Sequence, residues 1–299
     1  MIRKATPQTL REYLIEYSTT REIESETIRQ YEISIGRLEE WAGGEIRLDQ
    51  LDELMISQWL RDYSKTVAKS TVRSKRVQIV ALWRNAADDG YVDPPKRRIR
   101  TAKVVEEAPT AWTIDEVAKL RATCRKLKRR HKCGLSRAKW WELAVMIAWD
   151  TGLRWGDLVR LKVASIPAHG IFAWTQHKTK RVALCRIEPE TMRLLRETLA
   201  ECPRDLVLPW PASGETFREQ AKRLVAKAGI RPGTWKWLRR SSGTDVEVQQ
   251  FGAATRQLGH RPGSKVAYVS YVDPTIVAQA GGIVWPRPLP ESPEDSPVD

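Results

Sequence analysis

Cysteine is scarce in this 299-residue chain, and none of the four (Cys124, Cys133, Cys185 and Cys202) falls in a C-x-x-C pair. Without that spacing or a secretion signal, reduced thiols in a cytosol are expected rather than a disulfide scaffold. Cys124, His131 and Cys133 lie close together in sequence. A fourth ligand at finger-like spacing is missing, so no metal is expected. Long apolar runs are missing too. The longest fall far short of a membrane span, and residues 1–30 hold no apolar signal core. A soluble, cytoplasmic chain without membrane contact is expected, and no internal repeat is found. Acidic residues are in deficit, 37 against 51 Lys and Arg, which leaves a formal charge of +14.

The excess charge is unevenly placed. Residues 1–60 carry a net −5 and residues 61–105 a net +8. Basic side chains concentrated on part of a chain suit a polyanion, because each one laid on a phosphate releases counterions. With 299 residues the chain has room for two ordinary domains.

Residues 6–92 read as a small all-helical domain. Thr9 opens a helix with Leu10, Tyr13, Leu14 and Tyr17 on one face. A second helix carries Ile28, Tyr31, Ile35, Leu38 and Trp41 and stops at Gly43-Gly44. A third runs from about Leu54 to Tyr63. The fourth, Lys69 to Asp88, is expected to bury Val72, Val77, Val80, Leu82 and Trp83 and to turn Lys69, Arg73, Lys75, Arg76 and Arg84 outward. So one-sided a charge pattern favours phosphate contact by those five residues over a merely solvated face.

Residues 93–111 look like a linker, with Asp93-Pro94-Pro95 ending the helix and a basic stretch following. Thr113-Ile114-Asp115-Glu116 is a capping box that opens the next domain. Ten of the 21 residues from Lys119 to Lys139 are Lys or Arg. They form either a disordered basic loop or a helix and loop bordering nucleic acid. Trp140 to Trp149 reads as a buried helix. Gly170 to Ile187 alternates as a strand pair around a polar turn at His177–Lys180. Helices are expected at about 190–201 and 216–228, the latter ended by Gly229, then at 234–249, at 253–259 and around Tyr271. After Gly282 come five prolines and several acidic residues, a composition that suits a disordered tail.

Three separated segments hold polar groups in otherwise apolar settings. They are Thr151-Gly152-Leu153-Arg154-Trp155-Gly156-Asp157-Leu158, then Lys236-Trp237-Leu238-Arg239, then Leu258-Gly259-His260 followed by Tyr268 and Tyr271-Val272-Asp273-Pro274. Taken singly, each has a dull explanation: a surface arginine, a solvated helix residue, a capping histidine, a half-buried aromatic.

Together and in this order they resemble the tyrosine recombinase family of phage-type integrases. The first box is similar to that family's T-G-x-R-x-x-E/D-L, which makes Arg154 the first catalytic arginine and Asp157 its acidic support. The hairpin Thr175-Gln176-His177-Lys178-Thr179-Lys180 is similar to the one bearing the catalytic lysine, at Lys178. The H-x-L-R box corresponds to Lys236 through Arg239, and L-G-H ends at His260. Tyr271 takes the place of the nucleophile, with Tyr268 its rival three residues earlier. Two departures stand out. Lys236 replaces the usual histidine, and Arg261-Pro262-Gly263 lengthens the interval to the tyrosine.

The resemblance implies a mainly α fold with a small β-sheet in the catalytic domain, arranged as a two-domain C-shaped clamp on duplex DNA. Residues 1–93 would be the helical, SAM-like core-binding domain, 94–111 the linker, 112–281 the catalytic tyrosine recombinase domain and 282–299 the tail. It also implies strand cleavage and rejoining, integration or excision of a mobile element, a homotetramer on two DNA sites, an accessory directionality factor, no cofactor, and a prokaryotic, nucleoid-associated location. The chemistry is coherent with the residues. A phosphodiester repels nucleophiles, its pentavalent transition state gathers charge on the equatorial oxygens, and two guanidinium forks can hold them. Two alternatives remain open at this point. One is a type IB topoisomerase, which shares the chemistry and resembles this chain at Lys236. The other is a DNA-binding protein whose active site has decayed.

Overall fold

The computed structural model describes residues 8–104, 107–131, 133–261 and 263–280. The tail expected at 282–299 and Pro262 of the lengthened interval lie outside the described residues. The chain divides into two compact units, residues 1–106 and 107–299.

The first unit holds four helices: α1 (Leu10–Thr20), α2 (Ser25–Ala42), α3 (Glu53–Tyr63) and α4 (Lys69–Asp88). Thr9 and Glu12 close a capping box on α1, and Gly43, in the left-handed region, ends α2. Apolar faces meet in a core that includes Leu10, Tyr13, Ile35, Leu38, Trp59 and Leu82. The Tyr13 hydroxyl in this core donates to Asp89 at 2.7 Å.

The expected outer face of α4 needs correction. Lys75 is 7% exposed, and its Nζ donates to Ser34 Oγ at 3.0 Å and to Gln78 Oε1 at 3.4 Å. Arg76 is half-buried and donates to the Ile99 carbonyl at 3.0 Å. Lys69, Arg73 and Arg84 do face outward. Val77, expected in the core, is 51% exposed, and Trp41 also reaches the surface. Val72, Val80, Leu82 and Trp83 are buried as expected, and Ile79 rather than Val77 joins them in the core.

The second unit begins with α5 (Ile114–Arg125), opened by the Thr113–Glu116 capping box. Next comes α6 (Arg137–Thr151), whose residues 140–148 are all buried, so it forms the central helix. A short α7 (Trp155–Leu158) leads to the antiparallel pair β1 (Ile171–Thr175) and β2 (Val182–Arg186), registered Ile171 to Arg186 and Thr175 to Val182. Helices α8 (Pro189–Glu201) and α9 (Gly214–Ala228) follow, then α10 (Lys236–Gln249), α11 (Ala253–Gln257), α12 (Val266–Ser270) and α13 (Pro274–Ala280). The fold class is therefore mainly helical with one small sheet.

Much of the basic run at 119–139 is occupied by ion pairs within the unit. Arg121 and Arg125 converge on buried Glu142, Arg121 also reaches Glu190, and Arg130 and Lys139 share Glu201. The described part of the run takes the helix-and-loop form, with Arg121 and Arg125 on α5 and Lys139 on α6, and these four residues pair with carboxylates of the same unit.

Candidate active site

Three helix ends and the hairpin supply the site. Gly152 ends α6 in the left-handed conformation and turns the chain so that Arg154 starts α7. The half-buried Arg154 guanidinium donates to Gln176 Oε1 at 2.5 Å. Arg239, in the first turn of α10 and buried, donates to the Gly152 carbonyl and, at 2.8 Å, to the Leu258 carbonyl. Its Nε is buried without a partner. Burial and then the nearby Arg154 bring the Arg239 pKa down to about 10, so it stays charged at neutral pH.

Tyr271 sits at the centre of this cluster. It lies in the break between α12 and α13, where a single helix around it was expected. Its N–H still bonds the Ala267 carbonyl at 2.9 Å. The ring is 8% exposed. The Arg239 guanidinium carbon lies 4.8 Å from the ring centroid, Lys236 Nζ lies 5.3 Å from it, and the His260 ring is 5.4 Å away. Burial pushes the tyrosine pKa up, but Arg239, Arg154 and Lys236 together outweigh it and hold the hydroxyl below the ordinary tyrosine range.

Tyr268 has the opposite surroundings. Its hydroxyl donates to Glu247 at 2.9 Å, and burial and that carboxylate push its pKa up.

His260 follows Gly259, which is in the left-handed region, and its N–H bonds the Thr255 carbonyl. Burial, then Arg239, Arg154 and Arg181, lower its pKa to about 4, so the imidazole is neutral at pH 7. Its Nε2 is buried without a partner. Lys178 is exposed at the tip of the hairpin turn. Asp157 is buried, and its Oδ1 accepts the His177 N–H at 2.7 Å and Trp174 Nε1 at 3.2 Å. Its contacts are thus with the base of the hairpin.

Arg154, Arg239, Lys236, His260 and Tyr271 are therefore brought together, with Asp157 beneath the hairpin and Lys178 on its outer turn. Lys69, Arg73 and Arg84 belong to the other unit. There Arg73 and Arg76 line a groove of about 890 Å³ with Arg98, Arg100 and Lys103 of the linker stretch. Sequence reasoning passed over Gln176 and Glu247. The signal for Gln176 was its place on the inward face after Phe172 and Trp174, where a polar group needs partners. Among the described residues, no group of three or more His, Cys, Asp or Glu could hold a metal ion, and no helix is long and apolar enough to cross a membrane.

A mainly helical fold that gathers two guanidiniums, a histidine and a cation-flanked tyrosine is the arrangement that the resemblance to the tyrosine recombinases implies. Residues 112–275, more than half of the chain, match the Phage integrase family, and the protein belongs to that family. The fold is similar to a lambda integrase tetramer bound to a Holliday junction (20% identity, TM-score 0.69, covering 90% of this chain and 79% of that one). It is also similar to the XerH site-specific recombinase bound to palindromic difH in a post-cleavage complex (17% identity, TM-score 0.70, covering 92% and 84%). A third similar structure is the Tn1549 transposon integrase with a circular intermediate DNA (12% identity, TM-score 0.66, covering 93% and 100%). No curated protein matches the sequence.

Proposed function

We propose that this protein is a site-specific recombinase that cuts one DNA strand with Tyr271 and reseals it through a 3′-phosphotyrosyl ester, integrating or excising a mobile element. The observation that carries this reading is Tyr271 set within the family-matched unit with the Arg239 guanidinium carbon 4.8 Å and Lys236 Nζ 5.3 Å from its ring centroid and the His260 ring 5.4 Å away. A tyrosine whose proton is more easily lost, set among cations that hold its hydroxyl below the ordinary tyrosine range, is suited to attack a phosphate that those cations also hold.

In the proposed reaction the Tyr271 oxygen bonds to phosphorus as the bond to the 5′ oxygen breaks. Arg154 and Arg239 hold the equatorial oxygens, each such donor contributing about 10²–10³ in rate. Neutral His260 accepts the tyrosine proton, and Lys178 protonates the departing 5′ oxygen. The ester conserves the bond energy, so attack by a 5′ hydroxyl reverses the step without ATP. Because guanidiniums carry the transition-state charge, cleavage is expected to persist in excess EDTA. Four protomers on two duplexes, and an accessory directionality factor, belong to the same reading. The assembly is supported by likeness to the tetrameric lambda integrase complex.

The test is to trap the covalent adduct on duplex taken from the DNA flanking the gene and to map the linked peptide. Linkage at Tyr271, lost in Tyr271→Phe with DNA binding intact, is the expected result. Linkage at Tyr268 would overturn the assignment. Lys236 beside Tyr271 also fits a type IB topoisomerase; relaxation of any supercoiled plasmid by dilute protein, independent of sequence, would favour that reading.

A further inference from the structure

One buried amide joins parts of the site that the family motifs treat separately. Gln176 follows β1 directly and is 1% exposed. Its Oε1 accepts from Arg154 at 2.5 Å and from the Thr179 hydroxyl at 2.9 Å. Its Nε2 donates to the Leu258 carbonyl at 3.0 Å, and the same carbonyl accepts from Arg239 at 2.8 Å. The backbone of Gln176 also closes the hairpin turn, donating to Arg181 at 2.7 Å and accepting from Lys180 at 2.8 Å.

We propose that Gln176 is a positioning residue of the cleavage centre, fixing the Arg154 fork relative to Arg239 and tying both to the turn that carries Lys178. This rests on the reading of Arg154, Arg239 and Lys178 as the groups that act on the phosphate.

The chemistry of the gap demands an amide. Arg154 can only donate and the Leu258 carbonyl can only accept, so the side chain between them must accept at one end and donate at the other. Glutamine does both. Asparagine is one methylene shorter. Glutamate has no donor for Leu258 and would place a negative charge against the arginine whose positive charge the phosphate needs. Gly259 makes room for the amide: a Cβ there would stand 2.5 Å from Gln176 Nε2 and 3.0 Å from the Ala183 Cβ, at a φ of +64° that side chains rarely adopt. One Arg154 nitrogen is thus anchored to Gln176, which fixes the direction of the rest of the fork.

The experiment compares Gln176→Met and Gln176→Glu with the wild type and Tyr271→Phe, using the full chain. It reads single-turnover cleavage of a nicked duplex built on the bound site, DNA affinity, and the ultraviolet titration of Tyr271 without DNA. Gln176→Met should cleave about 10²-fold more slowly, the cost of one misplaced oxyanion donor, with affinity within about twofold. Gln176→Glu should cleave slowly and also move the Tyr271 titration to higher pH, because its carboxylate offsets Arg154. Gln176→Met adds no charge, so a rise of the Tyr271 titration in that variant, from an Arg154 fork no longer held in place, is the readout that a merely structural role would not give.

Wild-type cleavage by Gln176→Met overturns the proposal. Should Gln176→Met melt below the assay temperature, an unshifted Tyr271 titration in Gln176→Glu overturns it instead. Absence of any wild-type adduct is a different result: it sinks the recombinase reading itself, whereas an adduct that survives Tyr271→Phe overturns the choice of nucleophile.

Discussion

The Asp273 carboxylate accepts the Ala111 N–H at 2.9 Å, joining the segment just after Tyr271 to the segment that leads into α5. Its other oxygen caps α13 through the N–H groups of Thr275 and Ile276. Arg240 doubles the link, donating to the Ser270 carbonyl at 3.1 Å and to Thr110 at 3.2 Å. The tyrosine, in a break between two short helices, is thus held by a staple from far upstream in the chain rather than by helical hydrogen bonds on both sides.

Asp273→Ala removes a helix cap and leaves the buried Ala111 N–H unpaired. The expected loss is about 2–4 kcal/mol of stability, together with slower cleavage. Asp273→Asn keeps one carbonyl oxygen for the cap, so its loss should be smaller. Urea unfolding checks both, and equal stabilities for the two variants would mean that the cap on α13 contributes nothing.

Much of this architecture was legible in the residues. The Thr9–Glu12 and Thr113–Glu116 boxes announce α1 and α5, and the observed α4 spans Lys69–Asp88 as expected. What failed was the choice of face. A lysine reads as solvated, yet Lys75 is buried because Ser34 of α2 and Gln78 supply acceptors that only packing brings near. The break at Tyr271 was likewise invisible, since the staple that allows it comes from Ala111. The motifs name Arg154, Arg239 and His260, but the bond through Gln176 depends on tertiary placement that no local pattern encodes.

The same correction bears on DNA binding. Replacing Lys69, Arg73 and Arg84, all exposed, by glutamine should weaken affinity and reduce the slope of log affinity against log salt by about 0.9 for each phosphate that is no longer neutralised. Lys75→Met should leave the slope unchanged, because a buried ammonium held by Ser34 cannot reach a phosphate. Filter binding across a salt series decides this; a lowered slope in Lys75→Met would contradict the burial.

Stability should fall on mild acidification. His260 and His131 have folded pKa values lowered to about 4, His260 by burial and then Arg239, His131 by burial and then Arg137. An unfolded histidine titrates near about 6.5. Between those values the unfolded chain binds more protons than the folded one, so stability drops as pH falls from about 6.5 toward about 4. His260→Gln should flatten that dependence in part, with His131 supplying the remainder. A histidine NMR titration showing His260 with an unshifted midpoint in the DNA-free protein would remove the basis for this expectation.

Lys236 is the departure from pattern that the geometry makes most testable. Its Nζ lies 5.3 Å from the Tyr271 ring centroid and helps hold that hydroxyl below its ordinary pKa. An ammonium only donates, whereas a histidine there could also accept. Lys236 is therefore expected to stabilise charge on the tyrosine and the phosphate, leaving proton acceptance to His260 or water. Lys236→Ala should slow cleavage by about 10²-fold, the usual cost of a lost oxyanion donor, and raise the Tyr271 titration in the DNA-free protein. Lys236→His should restore part of the rate, and more of it at low pH, where the imidazole is charged. A single-turnover pH series on the three proteins, with ultraviolet titration alongside, measures both effects. Wild-type cleavage by Lys236→Ala would take Lys236 out of the chemistry, and an unmoved tyrosine titration would show that its charge does not reach the nucleophile.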